Sequence, residues 1–263
     1  MKIITWMTTV LLVAGMALPR LEASPKEWEE LKGQNFIIYY RSQVTMDFVQ
    51  TTMDSAEQEF QRVTQSLGIS RYQGWHWDKR AVIYIYRDSD DYTKNGGARW
   101  SHGSALTQQK VIKTYPSAQG FFDSLLPHEL GHIIFREFIG FLAVVPLWFE
   151  EGVAMYQEKA KRWGANQDVR TAIQNGQFIT LTDLTNMPLY NDSDQKTVDL
   201  FYAEAASAVY FLITEFGDQK FFYLLKELKQ NTSFETALKK NYMQIKDLSS
   251  FDKQWKRYLE DGS

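Results

Sequence analysis

The sequence predicts an α+β fold: a small N-terminal mixed β-sheet with a packed helix, followed by a mostly helical C-terminal half. Three observations carry this prediction. Residues 35–40 (Asn-Phe-Ile-Ile-Tyr-Tyr) and 81–86 (Ala-Val-Ile-Tyr-Ile-Tyr) are short runs rich in β-branched and aromatic residues, as buried strands are. Between them, Phe48, Val49, Met53, Ala56, Phe60, Val63 and Leu67 recur at helical spacing across 44–67, and Gly68 stops the pattern. From Phe121 onward the apolar spacing is helical almost throughout.

Strand, helix, strand in succession implies a sheet covered by a helix. Residues 95–104 contain Gly96, Gly97 and Gly103 and read as a loop, and 110–115 follows as a further strand before Pro116. The helical half divides into segments near 121–139, 146–161, 166–175, 199–216, 218–229, 233–240 and 247–260. Gly217 and Asp218 separate two of them, and Thr232-Ser233 with Glu235 has the composition of a helix start. There is no internal repeat and no low-complexity linker.

The chain has 263 residues, 44% hydrophobic and 23% charged, enough to bury a substantial core. It contains no cysteine, so disulfides, thiolate metal sites and a cysteine nucleophile are excluded, and histidine and carboxylates remain as transition-metal ligands. A net charge of −3 and the lack of a basic stripe give no case for nucleic acid. Residues 1–23 differ from the rest: Lys2, an apolar stretch from Ile3 to Leu18, then small residues at Ala23 and Ser24. This pattern predicts a secretory signal peptide and an exported, secreted or periplasmic protein; retention as an uncleaved anchor is the alternative. Residues 24–263 are expected to form a single domain. No other segment is long enough to cross a bilayer.

Two of the four histidines fall in one pentapeptide, His128-Glu129-Leu130-Gly131-His132. On a helix, residues four apart project from the same face, so His128 and His132 can share one Zn²⁺ while Glu129 accepts a proton from a metal-bound water. Downstream lies Pro146-Leu-Trp-Phe-Glu150-Glu151-Gly152-Val-Ala154, which gives H-E-x-x-H-x18-E. This spacing, with tryptophan three residues before the glutamate and Gly-x-Ala after it, resembles the gluzincin zinc metallopeptidases, in particular the aminopeptidase N-like and peptidase MA-like domains. The resemblance covers roughly residues 81 to 258 and implies a zincin-like fold. It assigns Glu151 as the third zinc ligand, with its neighbour Glu150 as the alternative. The segment Phe201-Tyr202-Ala203-Glu204-Ala205-Ala206-Ser207 is similar to a helix of the same family, which implies that Tyr202 hydrogen-bonds the developing oxyanion.

One departure bears on specificity. Aminopeptidases of this group carry a G-x-M-E-N strand whose glutamate holds the free amino group of the substrate. Here Gly103-Ser-Ala-Leu-Thr-Gln-Gln contains no acidic residue, so endopeptidase and exopeptidase action both remain open. His102, with Arg99 and Trp100, lies in the glycine-rich loop and reads as loop structure or as part of a cleft. His76, between Trp75 and Trp77, reads as a packing residue. The apolar run from Phe138 to Phe149 is expected to be a buried connector between the two ligand-bearing helices, and membrane contact is the alternative.

The sequence thus predicts an exported enzyme that holds one Zn²⁺ through His128, His132 and Glu151, with Glu129 and Tyr202 catalytic. Its partner would be a peptide or protein substrate. Two other readings stay open: a binding or scaffold protein that keeps the fold without turnover, and a zinc hydrolase of a non-peptide amide.

Overall fold

Side-chain alternation in two five-residue runs builds the sheet. The computed structural model describes residues 28–69, 74–75, 79–98, 101–158, 164–187 and 194–261. The expected signal peptide, His76, Arg99 and Trp100 lie outside the described residues. The chain forms two compact units, Met1–Gln58 with Gly74–Leu125, and Glu59–Gln73 with Leu126–Ser263.

The first unit contains, among the described residues, strands β1 (Glu29–Lys32), β2 (Phe36–Tyr40), β3 (Ala81–Ile85), β4 (Gly103–Leu106) and β5 (Val111–Thr114), in the order β1-β2-β3-β5-β4. The sheet is mixed: β2, β3 and β5 run parallel, while β1 and β4 pair antiparallel at the edges. In β2 and β3 every second residue is buried, and the register sets Phe36 beside Ala81, Ile38 beside Ile83 and Tyr40 beside Ile85. One face of the sheet is therefore continuous apolar surface. Helix α1 (Met46–Ser66) makes the crossover that parallel strands require, with Val49, Met53 and Ala56 buried. Buried Asn35 fixes the hairpin end of β2. Its backbone N–H and side-chain amide donate to Glu57 of α1 at 2.7 and 2.6 Å, and its Oδ1 accepts from the N–H of Trp75 at 2.8 Å.

Among the described residues, the structure adds β1, β4, helix α2 (Ser89–Lys94) and a 3-10 turn at Thr107–Gln109 to the elements expected here from sequence. Asp88 caps α2 by accepting from the N–H of Asp91.

The second unit is helical. It contains the last turns of α1 and then α3 (Leu126–Ile139), α4 (Leu147–Gln157), α5 (Ala165–Gln174), α6 (Leu181–Asn186), α7 (Gln195–Phe216), α8 (Asp218–Lys229), α9 (Phe234–Asn241) and α10 (Leu248–Glu260). Side-chain caps at Thr180, Asp194, Ser233 and Asp247 start four of these helices, and at Asp247 the cap is a full capping box with Ser250. Gly217, at φ 86°, ends α7 in a conformation that L side chains rarely adopt. The core is aromatic: Phe149 packs against Phe135, Phe221 and Phe234, and Trp148 against Phe234 and Phe251. The buried indoles keep hydrogen-bond partners, Trp148 donating to Thr185 at 2.9 Å and Trp255 to Ser207 at 3.0 Å. Among the described residues, no helix is long and apolar enough to cross a membrane.

Candidate metal centre

Two glycines bring the site helices together. At Gly131 of α3, a Cβ would lie 2.9 Å from the Cα of Ala154 in α4. At Gly152 of α4, a Cβ would collide with the carbonyl oxygen of Ala205 in α7. The backbones of α3, α4 and α7 thus approach more closely than any side chain at these positions allows.

His128, His132 and Arg136 follow one another at four-residue intervals along one face of α3. Across from them, α4 and its C-cap present carboxylates in the reverse order. The Nδ1 of His128 lies 2.9 Å from Oε1 of Glu158, the Nε2 of His132 lies 3.6 Å from Oε2 of Glu151, and Arg136 grips both oxygens of Glu150. His128 and Arg136 each have a carboxylate within hydrogen-bond distance, whereas Glu151 lies beyond that distance from both imidazoles.

His128, His132 and Glu151 are all buried, and among the described residues they form the group able to hold a metal ion. The two Nε2 atoms are 3.2 Å apart, and Oε2 of Glu151 lies 3.8 and 3.6 Å from them. That oxygen is buried and has no hydrogen-bond partner among the described residues. A carboxyl oxygen is rarely buried without a partner, so the arrangement is compatible with a metal site.

The surrounding groups fit this description. A carboxylate only accepts, so Glu158 places a proton on Nδ1 of His128 and leaves the Nε2 lone pair facing Glu151. Burial alone would lower the His132 pKa, but the charges of Glu151 and Glu150 outweigh it and raise it well above the ordinary value. The acids of the site therefore favour a cation at His132. Glu150 is a different kind of residue from Glu151. Burial would raise its pKa, but His132 and Arg136 hold it at about 2, and Arg136 occupies both of its oxygens. The His132 Nδ1 to Glu150 Oε1 distance of 3.7 Å is too long for a hydrogen bond. Of the two neighbouring glutamates, it is Glu151 whose oxygen meets the imidazole pair.

Glu129 is half-buried on α3, and burial raises its carboxyl pKa; the imidazoles of His128 and His132 oppose this shift while Glu151 and Glu158 add to it. Tyr202 lies on α7, half-buried against Met155, Ala165 and Ala206. Burial and the charges of Glu151, Glu129 and Glu158 raise its hydroxyl pKa and keep it protonated. His128, Glu129, His132, Glu151 and Tyr202 are thus close enough to act on one another electrostatically.

His102 belongs to the other unit. Its Nδ1 accepts from the N–H of Gln119 at 3.0 Å, and its ring stacks on Tyr115. This ring holds the loop that contains it. Sequence reasoning missed Glu158 and Arg136. The signal for Glu158 was its position seven residues after Glu151, two helical turns along the same face of α4. For Arg136 it was the place one turn beyond His132.

The family model described as peptidase MA superfamily matches residues 63–261. No curated protein matches the chain. Among solved structures, the fold is similar to that of native yeast LTA4 hydrolase, with a TM-score of 0.53 and 14% identity over 88% of this chain and 39% of that chain. At that identity the likeness is one of fold, and this chain spans well under half the length of the yeast protein. The match over most of the chain, together with the buried two-histidine, one-glutamate group, makes this protein a member of the peptidase MA superfamily.

Proposed function

We propose that the protein is a zinc-dependent metallopeptidase that hydrolyses peptide bonds outside the cytoplasm. One observation carries the reading: the triangle formed by the two Nε2 atoms and the unpartnered Oε2 of Glu151, with edges of 3.2, 3.6 and 3.8 Å. Zinc bonds of about 2.0–2.1 Å at tetrahedral angles separate neighbouring ligand atoms by roughly 3.4 Å, so the three donors fit one face of a tetrahedral zinc site. Two imidazoles and one carboxylate are also the ligand set of a hydrolytic zinc site with an open fourth position.

His128, His132 and Glu151 would hold the ion. When bound, Zn²⁺ supplies a Lewis acid that makes water acidic near neutral pH and polarises the scissile carbonyl. Glu129 accepts the proton of the attacking water and delivers it to the leaving amine. Its raised proton affinity suits a group that must first take the proton and then release it. Tyr202, held protonated, donates a hydrogen bond to the carbonyl oxygen as charge builds there. Glu158 orients the ring of His128 and fixes its tautomer. Action outside the cytoplasm rests on the sequence of residues 1–23, whose charged start and apolar stretch have the form of an export signal.

A mixed peptide library tests the proposal, with cleavage products mapped by mass spectrometry. The zinc-loaded wild type is expected to cut and Glu129→Gln, equally loaded, to leave the library intact. Loss of cleavage by both proteins, or cleavage by both, would refute the assignment. The cut positions would separate endopeptidase from exopeptidase action.

A further inference from the structure

The connector between the two ligand-bearing helices is not the buried segment its composition suggests. Phe138, Ile139, Ala143, Trp148 and Phe149 are buried, but Leu142 and Val144 are 92% and 87% exposed and Phe141 is 41% exposed. The turn is held in this shape. Gly140, at φ 97°, reverses the chain, and the N–H of Ala143 donates to the carbonyl of Gly140. The carbonyl of Ala143 in turn accepts from Arg136 at 2.8 Å. One backbone hydrogen bond and one from the Arg136 side chain thus fix an apolar tip pointing into solvent, where it lowers stability and solubility unless something covers it.

The neighbouring surface is aromatic and carries exposed lysines, and Glu227, the acid of this stretch of α8, is paired with Lys240. Phe138, at the end of α3, packs on Phe222 of α8 with ring centroids 5.8 Å apart. On the same face of α8, Tyr223 is 45% exposed, and the exposed Lys226 and Lys229 hold their amines 5.6 Å from the ring of Tyr223 and 4.8 Å from that of Phe138. Phe138, two residues before Gly140, thus joins the exposed apolar turn to a helix face carrying a tyrosine and lysines, and apolar, interfacial aromatic and ammonium groups match the acyl, glycerol and phosphate regions of a bilayer interface.

We propose that the turn 140–145, with the Tyr223–Lys229 face of α8, docks on a phospholipid surface carrying anionic headgroups. Charge and shape favour this occupant. The two lysines complement phosphate and have no acidic counterpart on the tip itself, where residues 140–146 carry no charge. A protruding turn covers little area on a flat protein partner, whereas a bilayer admits Leu142 and Val144 individually to the depth of their side chains. The proposal does not depend on the hydrolytic reading of the metal centre.

Because the chain lacks cysteine, single labels report from one position in the full-length protein. Leu142→Cys, Val144→Cys and, as a control, Met243→Cys (Met243 is 86% exposed elsewhere) would each carry an environment-sensitive fluorophore. They would be mixed with phosphatidylcholine vesicles with and without phosphatidylglycerol. At 142 and 144 the emission is expected to shift to the blue and rise several-fold on the anionic vesicles, with no change at 243. Reversing Lys226 and Lys229 to glutamate should lower the ratio of inserted to free tip by at least about five-fold per lysine. Labels at 142 and 144 that stay aqueous on both vesicles would overturn the proposal. So would an equal response at 243, an equal response on neutral vesicles, or a label already shielded without lipid, which would show the tip covered by the chain itself or by a second copy.

Discussion

The Nδ1 of His128 lies 2.9 Å from Oε1 of Glu158, the residue that caps the C-terminus of the opposing helix. Both side chains are buried, and with Nδ1 on Glu158 the ring turns Nε2 towards Glu151, 3.8 Å away. Removing this partner should weaken the site without removing a ligand. Glu158→Ala is expected to lower zinc affinity by about 10–100-fold. Glu158→Gln, whose amide oxygen still accepts the Nδ1 proton, should lose less. Competition against a chromogenic chelator measures both, and equal affinity in all three proteins would refute the orienting role.

Glu150 and Glu151 should separate cleanly. Glu151→Ala removes the oxygen that faces both imidazoles and is expected to abolish stoichiometric zinc. Glu150→Ala should retain the metal but lose stability by roughly 1–3 kcal/mol, because it leaves the part-buried Arg136 guanidinium without its carboxylate. Metal content by mass spectrometry and thermal unfolding distinguish the two variants. Zinc loss in Glu150→Ala alone would reverse the assignment.

Much of this arrangement was legible in the sequence, for identifiable reasons. β2 and β3 were visible because each alternates buried and half-buried residues over five positions, and α1 because its apolar stripe persists for 21 residues. β1 (Glu-Glu-Leu-Lys) and α2 (Ser-Asp-Asp-Tyr-Thr-Lys) were not, since an edge strand and a single capped turn need no apolar pattern. The HExxH pair and Glu151 are defined by spacing along helices and can be read from one dimension. Glu158 begins Glu-Lys-Ala-Lys-Arg, which reads as a solvated charge run, and its burial comes with its tertiary contact to His128 of α3, which no local pattern shows. Composition also misplaced Leu142 and Val144, because hydrophobicity does not say which apolar residues the chain reversal at Gly140 turns outward.

Gly152 is a packing residue beside Glu151, a member of the group able to hold a metal ion. Gly152→Ala drives a methyl into the carbonyl of Ala205 and forces α4 away from α7, with an expected cost of about 1–3 kcal/mol. Since Glu151 precedes it, zinc affinity should fall as well. Chemical denaturation and chelator competition check the two effects; an unchanged stability would show that the helices have room to part.

Tyr202→Phe keeps the ring that packs on Met155 and Ala206 and removes the hydroxyl. If the hydroxyl stabilises the transition state, kcat should drop by about 10²-fold while KM and zinc content stay within a factor of two or three. Steady-state kinetics on any cleaved library peptide decides this. A rise in KM with kcat unchanged would move Tyr202 from catalysis to substrate binding.

Two carboxylates outside the site make stability depend on pH in an unusual direction. Glu204 of α7 accepts from the N–H of Ile179 at 2.9 Å, and Asp252 of α10 accepts from Leu181 at 3.1 Å, so the two hold the segment leading into α6. Burial raises Glu204 to about 8 and Asp252 to about 6. Both folded pKa values exceed the unfolded ones, so between roughly pH 4 and 8 the unfolded chain binds fewer protons than the folded one, and stability falls as pH rises. Glu204→Gln removes the larger contribution and should flatten the decline between pH 5 and 8, a change on the order of a few kcal/mol. Denaturant midpoints measured across this range in wild type and variant give the answer. The fall should be steeper in the wild type, and parallel curves would mean that Glu204 is ionised in the folded protein at pH 5.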